Sequence, residues 1–147
     1  MKLRNVGLIA VLAASVLAII VYAFQRSRVI HNTGYVYGVG VEVYWDSECT
    51  NPCTAINWGD LYPGDAKTQQ LYIKNVENTP CTLTLATANW SPWNASIYIA
   101  VSWNYTGQTL NPGEVLPVTF TLEVSQQITG IHEFQFDIII TATSLSA

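Results

Sequence analysis

"LNPGEVLPVTFTLEV", Leu110–Val124, holds a turn and a strand in fifteen residues, and its reading decides the fold. Leu116, Val118, Phe120, Leu122 and Val124 alternate with Pro117, Thr119, Thr121 and Glu123. A period of two marks a strand with one buried face, because successive side chains point to opposite sides of a sheet. In the turn, Pro112 presets φ at the first central position and Gly113 supplies the positive φ that follows. Pro117 has no N–H for a ladder, so its strand is expected at a sheet edge, or bulged there. Nearly the same turn, "LYPGD" at Leu61–Asp65, precedes another alternating segment, "TQQLYIKN", Thr68–Asn75. A turn built twice points to two corresponding strands rather than to a site. Leu61 and Leu110 are then expected to plug the ends of the core, and Asp65 and Glu114 to have no chemical role.

The alternation extends outward in both directions. Val39, Val41, Val43 and Trp45 share one face of "GVGVEVYW". Cys81, Leu83 and Leu85 share another, as do Ile97, Ile99, Val101 and Trp103. In "HEFQFDIIITAT" the inward set is Phe134, Phe136, Ile138, Ile140 and Ala142. A short seventh strand fits "TAINW", and "SPWNAS", Ser91–Ser96, reads as a single helical turn between strands. Turn signals recur about every ten residues. About seven antiparallel strands without long helices indicate an all-β, immunoglobulin-like sandwich, with a closed barrel as the alternative.

The start of the chain is different. Val6–Phe24 is an uninterrupted uncharged run, with Lys2 and Arg4 before it and Arg26 and Arg28 after it. At about 1.5 Å per helical residue it spans nearly 30 Å, the thickness of a bilayer's hydrocarbon core. This predicts one transmembrane helix in residues 1–28 and a separate domain in residues 29–147. The alternative is a signal peptide cut after "VYA", Val21–Ala23. No cysteine lies in or just after the run, which excludes a lipoprotein anchor.

All ten acidic residues follow Arg28, against only Lys67 and Lys74, so the domain carries −8 while the leading segment carries +4. A domain so charged repels nucleic acid. Three acceptor sequons, at Asn89, Asn94 and Asn104, favour an extracytoplasmic location and make those residues candidate glycosylation sites. Asn-Pro inside "CTNPC" forms a turn between Cys49 and Cys53, which fits a small disulfide loop in an oxidising compartment. Cys81, on the inward face of its strand, is expected as a buried thiol.

"VEVYWDSECTNPCTAINWGDLYPGD", "IKNVENTPCTLTL" and "SWNYTGQTLNPGEVLPVTFTLEVS" with "TGIHEFQFDIIITAT" resemble small archaeal surface proteins that combine one N-terminal membrane helix with one immunoglobulin-like sandwich. The resemblance covers nearly the whole chain and implies fold and location, not a site. A more distant likeness is to camelysin and TasA-like proteins, some of which assemble into extracellular fibres. Leu61, Pro63, Gly64, Asp65 and Asn75 match their turn and strand, but "ENTP" stands where that family favours "NTG".

No GxSxG, HExxH, GxGxxG or P-loop pattern is present. His132 beside Glu133 reads as a solvated pair, and no cofactor is expected. Asp46, Glu48, Asp60 and Asp65 could supply some of the oxygens calcium needs, or could simply be solvated turn carboxylates. Trp58, Trp90 and Trp93 could form a glycan-stacking surface, or close the ends of the core; Trp45 and Trp103 belong to the core. The expectation is a non-catalytic, membrane-held module of the cell envelope. Its partners would be the membrane, envelope proteins or copies of itself. Two alternatives are kept. One is a filament subunit that gives residues Val29–Val43 to a neighbour as a strand. The other is an envelope-gripping part of a surface appendage.

Overall fold

The structure, a computed structural model, describes residues 29–146. The expected transmembrane helix lies outside these residues, and no helix among them is long and apolar enough to cross a membrane. Eight strands and one helical turn follow one another: β1 (His31–Val39), β2 (Val41–Tyr44), β3 (Ala55–Ile56), β4 (Ala66–Asn75), β5 (Cys81–Ser91), α1 (Ala95–Tyr98), β6 (Ile99–Trp103), β7 (Val115–Val124) and β8 (Glu133–Ser144). They make two four-stranded sheets, ordered β3-β1-β8-β5 and β2-β4-β7-β6. The core lies between them. Phe120, Leu122, Leu71 and Ile73 from one sheet meet Phe134, Phe136, Ile138 and Ile140 from the other, all fully buried.

The architecture is all-β and two-layered, as the alternation indicates, but the strands are not all antiparallel. β1 runs parallel to β8 over nine residue pairs, from His31–Glu133 to Val39–Thr141. The reason is at Gly40. Residues 38–45 look like one alternating strand, yet the chain changes sheets there, with Gly40 at φ +73°. Val41 and Val43 face the core from β2, whereas Val39 ends β1 and is exposed. Ile97 is likewise exposed, because it sits in α1 rather than in a strand.

Pro117 sits where its missing N–H is harmless. β6 pairs with β7 only from Phe120 to Val124. At Pro117 the strand is therefore an edge on that side, although β4 covers the other. Thr119, two residues on and pointing the same way, gives its N–H to the Asn104 side chain at 2.9 Å.

The repeated turns form a reciprocal clasp on the β4–β7 pair. Asp65 N–H donates to Tyr62 O and Glu114 N–H to Asn111 O, each at 3.0 Å, closing the two turns. The turn before β4 holds the last residue of β7: Gly64 N–H donates to Val124 O, and Val124 N–H to Asp65 O. The turn before β7 holds the last residue of β4 in the same way: Gly113 N–H donates to Asn75 O, and Asn75 N–H to Glu114 O. Leu61 and Leu110 are fully buried, as end plugs should be. Asn75 is also fully buried; its Nδ2 donates to Thr79 O and Leu110 O, and its Oδ1 accepts from Glu77 N–H.

The turn carboxylates have more to do than was expected of them. Asp65 Oδ2 accepts Tyr62 N–H at 3.0 Å, and Glu114 Oε2 accepts Asn111 N–H at 2.8 Å. Asp65→Ala and Glu114→Ala should each cost about 1 kcal/mol of stability, while Asp65→Asn, which keeps an acceptor, should cost less. Gly113→Ala should cost roughly 1 kcal/mol, because a Cβ disfavours φ +75°. Gly64→Ala should cost more, since its Cβ would also lie 2.9 Å from Gln126 Cγ, while nothing crowds Gly113. Urea midpoints for the five variants check this ordering.

Candidate functional site

The residues singled out for chemistry do not converge. Asp46 folds its own loop: its carboxylate accepts from Thr50 Oγ1, Thr50 N–H and Asn51 N–H, at 2.6 to 3.2 Å. The Thr50 hydrogen bonds, with that from Asn51, hold its pKa below the usual carboxylate range. Asp65 is committed to its turn. Among the described residues no three His, Cys, Asp or Glu side chains come together as a metal cluster would require. His132 is exposed, and its carbonyl accepts His31 N–H at 3.1 Å.

Cys49, Cys53 and Cys81 are all free thiols, so the expected Cys49–Cys53 bridge is not formed. The Asp46 cap explains the separation. It holds the loop with Cys49 at φ +57° on the outside, its Sγ toward Ser47 O. Cys53 N–H is tied to Val43 O, and its Sγ turns inward toward Ala55 O. Burial pushes the Cys53 thiol up to about 11 and also raises Cys81, which is fully enclosed as its strand position implied. Without reductant, one thiol should alkylate in the folded protein, at Cys49, and three after unfolding. Only one after unfolding would mean that a bridge forms between the first two.

Of the three sequons, Asn89 is exposed but donates from Nδ2 to Asp137 Oδ2 at 2.7 Å. Asn94 is half-buried before α1, with no side-chain capping bond. Asn104 is exposed and holds Thr119. The tryptophans divide. Trp58 is buried, and Trp90 stacks on Phe136 at 4.2 Å with a 5° tilt between planes. Trp93 alone is open, 75% exposed, so the three make no shared platform. Trp45 and Trp103 pack half-buried against the core.

An open groove of about 440 Å3 lies between the Gly64–Ala66 turn, α1 and the end of β7, with Ile97 exposed at its wall. Its two carboxylates, Asp65 and Glu123, stand beside β6, one of the two edge strands of that sheet.

One element departs from ordinary sandwich packing, and the periodicity missed it. β1 occupies an interior place in its sheet, between β3 and β8, yet its inner side carries Asn32, Gly34 and Val36, all buried, and Gly38, which follows the same alternation but is exposed. Only one of these four is a sizeable apolar side chain. Asn32 is satisfied by Gly59 O, which accepts from its Nδ2 at 2.8 Å, and by Trp58 N–H, which donates to its Oδ1 at 2.9 Å. The space above Gly34 belongs to Phe136, whose ring carbon would lie 3.2 Å from a Cβ there. β1 is thus attached through its backbone ladders more than through buried apolar area. No family model matches the chain, and no curated protein matches it either.

Proposed function

We propose that this chain is a non-catalytic structural and interaction module of the cell envelope. In this reading an immunoglobulin-type sandwich stands outside the membrane, and Val6–Phe24 holds it there. The observation that carries the reading is the position of β1. The first strand after the apolar run and its flanking arginines enters the interior of a sheet and pairs along nine residues with β8. A pull on the leading segment therefore loads a long ladder side-on, rather than peeling a strand from an edge. The −8 charge and the three sequons support the extracytoplasmic side. The carboxylates weighed as ligands support the non-catalytic part, because Asp46 and Asp65 are engaged in their own loops.

Protease added to intact cells should remove the domain and leave a small membrane fragment, and carbonate washing should not release the full-length chain. Free protein in the medium, beginning at Phe24, would replace the anchor by a cleaved signal peptide.

A second reading, a filament subunit joined by strand donation, has one specific observation in its favour. β1 has small inward residues and connects to β2 through Gly40 alone, so a neighbour's β1 could take the same place at little cost in buried area. Ordered polymers in the envelope fraction, with the Val29–Val39 segment crosslinking between copies, would favour it.

A further inference from the structure

The outer face of the β3-β1-β8-β5 sheet carries a cleft that none of the roles above uses. We infer that it receives an arginine side chain presented by another envelope protein. Tyr35 and Tyr37 are successive outward residues of β1, about 7 Å apart along the strand, and are 40% and 51% exposed. The register places Asp137 beside Tyr35 and Ile139 beside Tyr37 on one side, and Ala88 beside Asp137 on the other. Tyr35, Tyr37, Asn89, Gln135, Phe136 and Asp137 line an open cleft of about 210 Å3.

The polar groups are held in position. The β5–β8 register shifts between Ala88 and Ser91, and Asn89 takes φ +53° at that irregularity. Bulges of this kind re-aim side chains, and a left-handed non-glycine residue persists only where its surroundings enforce it. Here Trp90, the next residue, is stacked flat on Phe136 beneath the sheet. Asn89 consequently turns outward and gives Nδ2 to Asp137 Oδ2 at 2.7 Å. A carboxylate fixed by one amide donor keeps acceptor positions free for a second partner.

Charge selects the occupant. Asp137 lies on a face whose other ionisable side chains, besides the tyrosines, are Glu133 and the His31 paired with it, while Lys67 and Lys74 are both on β4 in the other sheet. The domain has a surplus of eight negative charges and no arginine after Arg28. A planar guanidinium stacks on a tyrosine face and donates a fork of hydrogen bonds to a carboxylate, so it uses both parts of the cleft at once. A compact ammonium would use only the carboxylate fully. A second copy's folded domain has no arginine to offer, which points to a different protein.

This inference deepens the interaction-module reading and rests on it. The test uses the full-length chain in neutral detergent micelles, with N-acetyl-arginine amide as probe and its neutral isostere, N-acetyl-citrulline amide, as control. NMR of the tyrosine rings should show saturable shifts of Tyr35 and Tyr37 with the arginine probe and none with citrulline. Asp137→Asn and Tyr35→Ala should each weaken binding about tenfold. Raising salt from about 50 to about 500 mM should weaken it as well. The dispersion of the core methyl signals checks that each variant is folded.

Equal response to citrulline, or saturable binding of a neutral oligosaccharide at the same rings, would overturn the assignment in favour of an uncharged ligand. So would the absence of any saturable response. Self-association that the probe blocks and Arg26→Ala with Arg28→Ala abolishes would move the occupant to a second copy. A chain that is membrane-held as proposed but blind to the arginine probe sinks this inference alone.

Discussion

Gly38→Ala should destabilise the domain by about 3 kcal/mol, near the upper end of what overpacking costs. A Cβ at Gly38 would lie 2.1 Å from Val41 O and 3.0 Å from Val41 C, and both atoms are backbone. Backbone cannot rotate aside as a flexible side chain does. The contact exists because the chain folds back on itself within three residues, leaving β1 for β2 in the opposite sheet. Relief would require moving either the β1–β8 ladder or the β2–β4 ladder. The matched control is Gly130→Ala, at φ +71° with nothing near the added Cβ, which should cost only about 1 kcal/mol. Guanidinium midpoints measured on both variants decide it. Equal losses would mean that the tight crossing is not held in solution. If strand donation also operates, Gly38→Ala should raise the fraction of exchanged dimers, because it penalises the closed crossing and not the bare sandwich.

Phe136→Ala should have the largest single effect, about 4 kcal/mol, as expected for a fully buried phenylalanine. Its ring lies flat on Trp90 at 4.2 Å, reaches Phe134 at 5.9 Å and fills the place opposite Gly34. Three elements, β1, β5 and β8, lose a common contact together. Trp90 would gain exposure, so the tryptophan emission should shift to longer wavelength before the main unfolding transition. Phe136→Leu keeps most of the volume and should lose about 1.5 kcal/mol. A Phe136→Ala variant as stable as Phe136→Leu would show that β1 can collapse onto the gap, and that its place in the sheet is softer than the packing implies.

Several features were legible in the sequence for a physical reason. β7 and β8 each put one face in the core and one in water, so Val118, Phe120 and Leu122, and Phe134, Phe136 and Ile138, appear as a period of two. Pro-Gly followed by a carboxylate marked both turns, since proline's fixed φ and glycine's positive φ are demands of the chain itself. Cys81 and Leu110 were assigned to the interior by neighbours a few residues away. Each of these facts is local.

What remained hidden depended on contacts distant in the chain. β1 gave no periodic signal, because Asn32 and Gly34 face inward and the space above Gly34 is filled by Phe136, a hundred residues later. Its parallel partner could not be found from alternation, which is the same whichever way a neighbouring strand runs. The crossing at Gly40 leaves the pattern of Val39, Val41 and Val43 intact while sending them to different surfaces. "CTNPC" permits a bridge by spacing, but Asp46 at the head of the loop and the Val43 carbonyl fix where each sulfur points. The Tyr35–Asp137 cleft likewise joins residues from opposite ends of the domain. Period and turn chemistry belong to a few consecutive residues, so the chain alone determined the strands and the two-layered class. Strand order, direction and the pairing of side chains across sheets are settled by which surfaces exclude water together, and only the tertiary structure decided those.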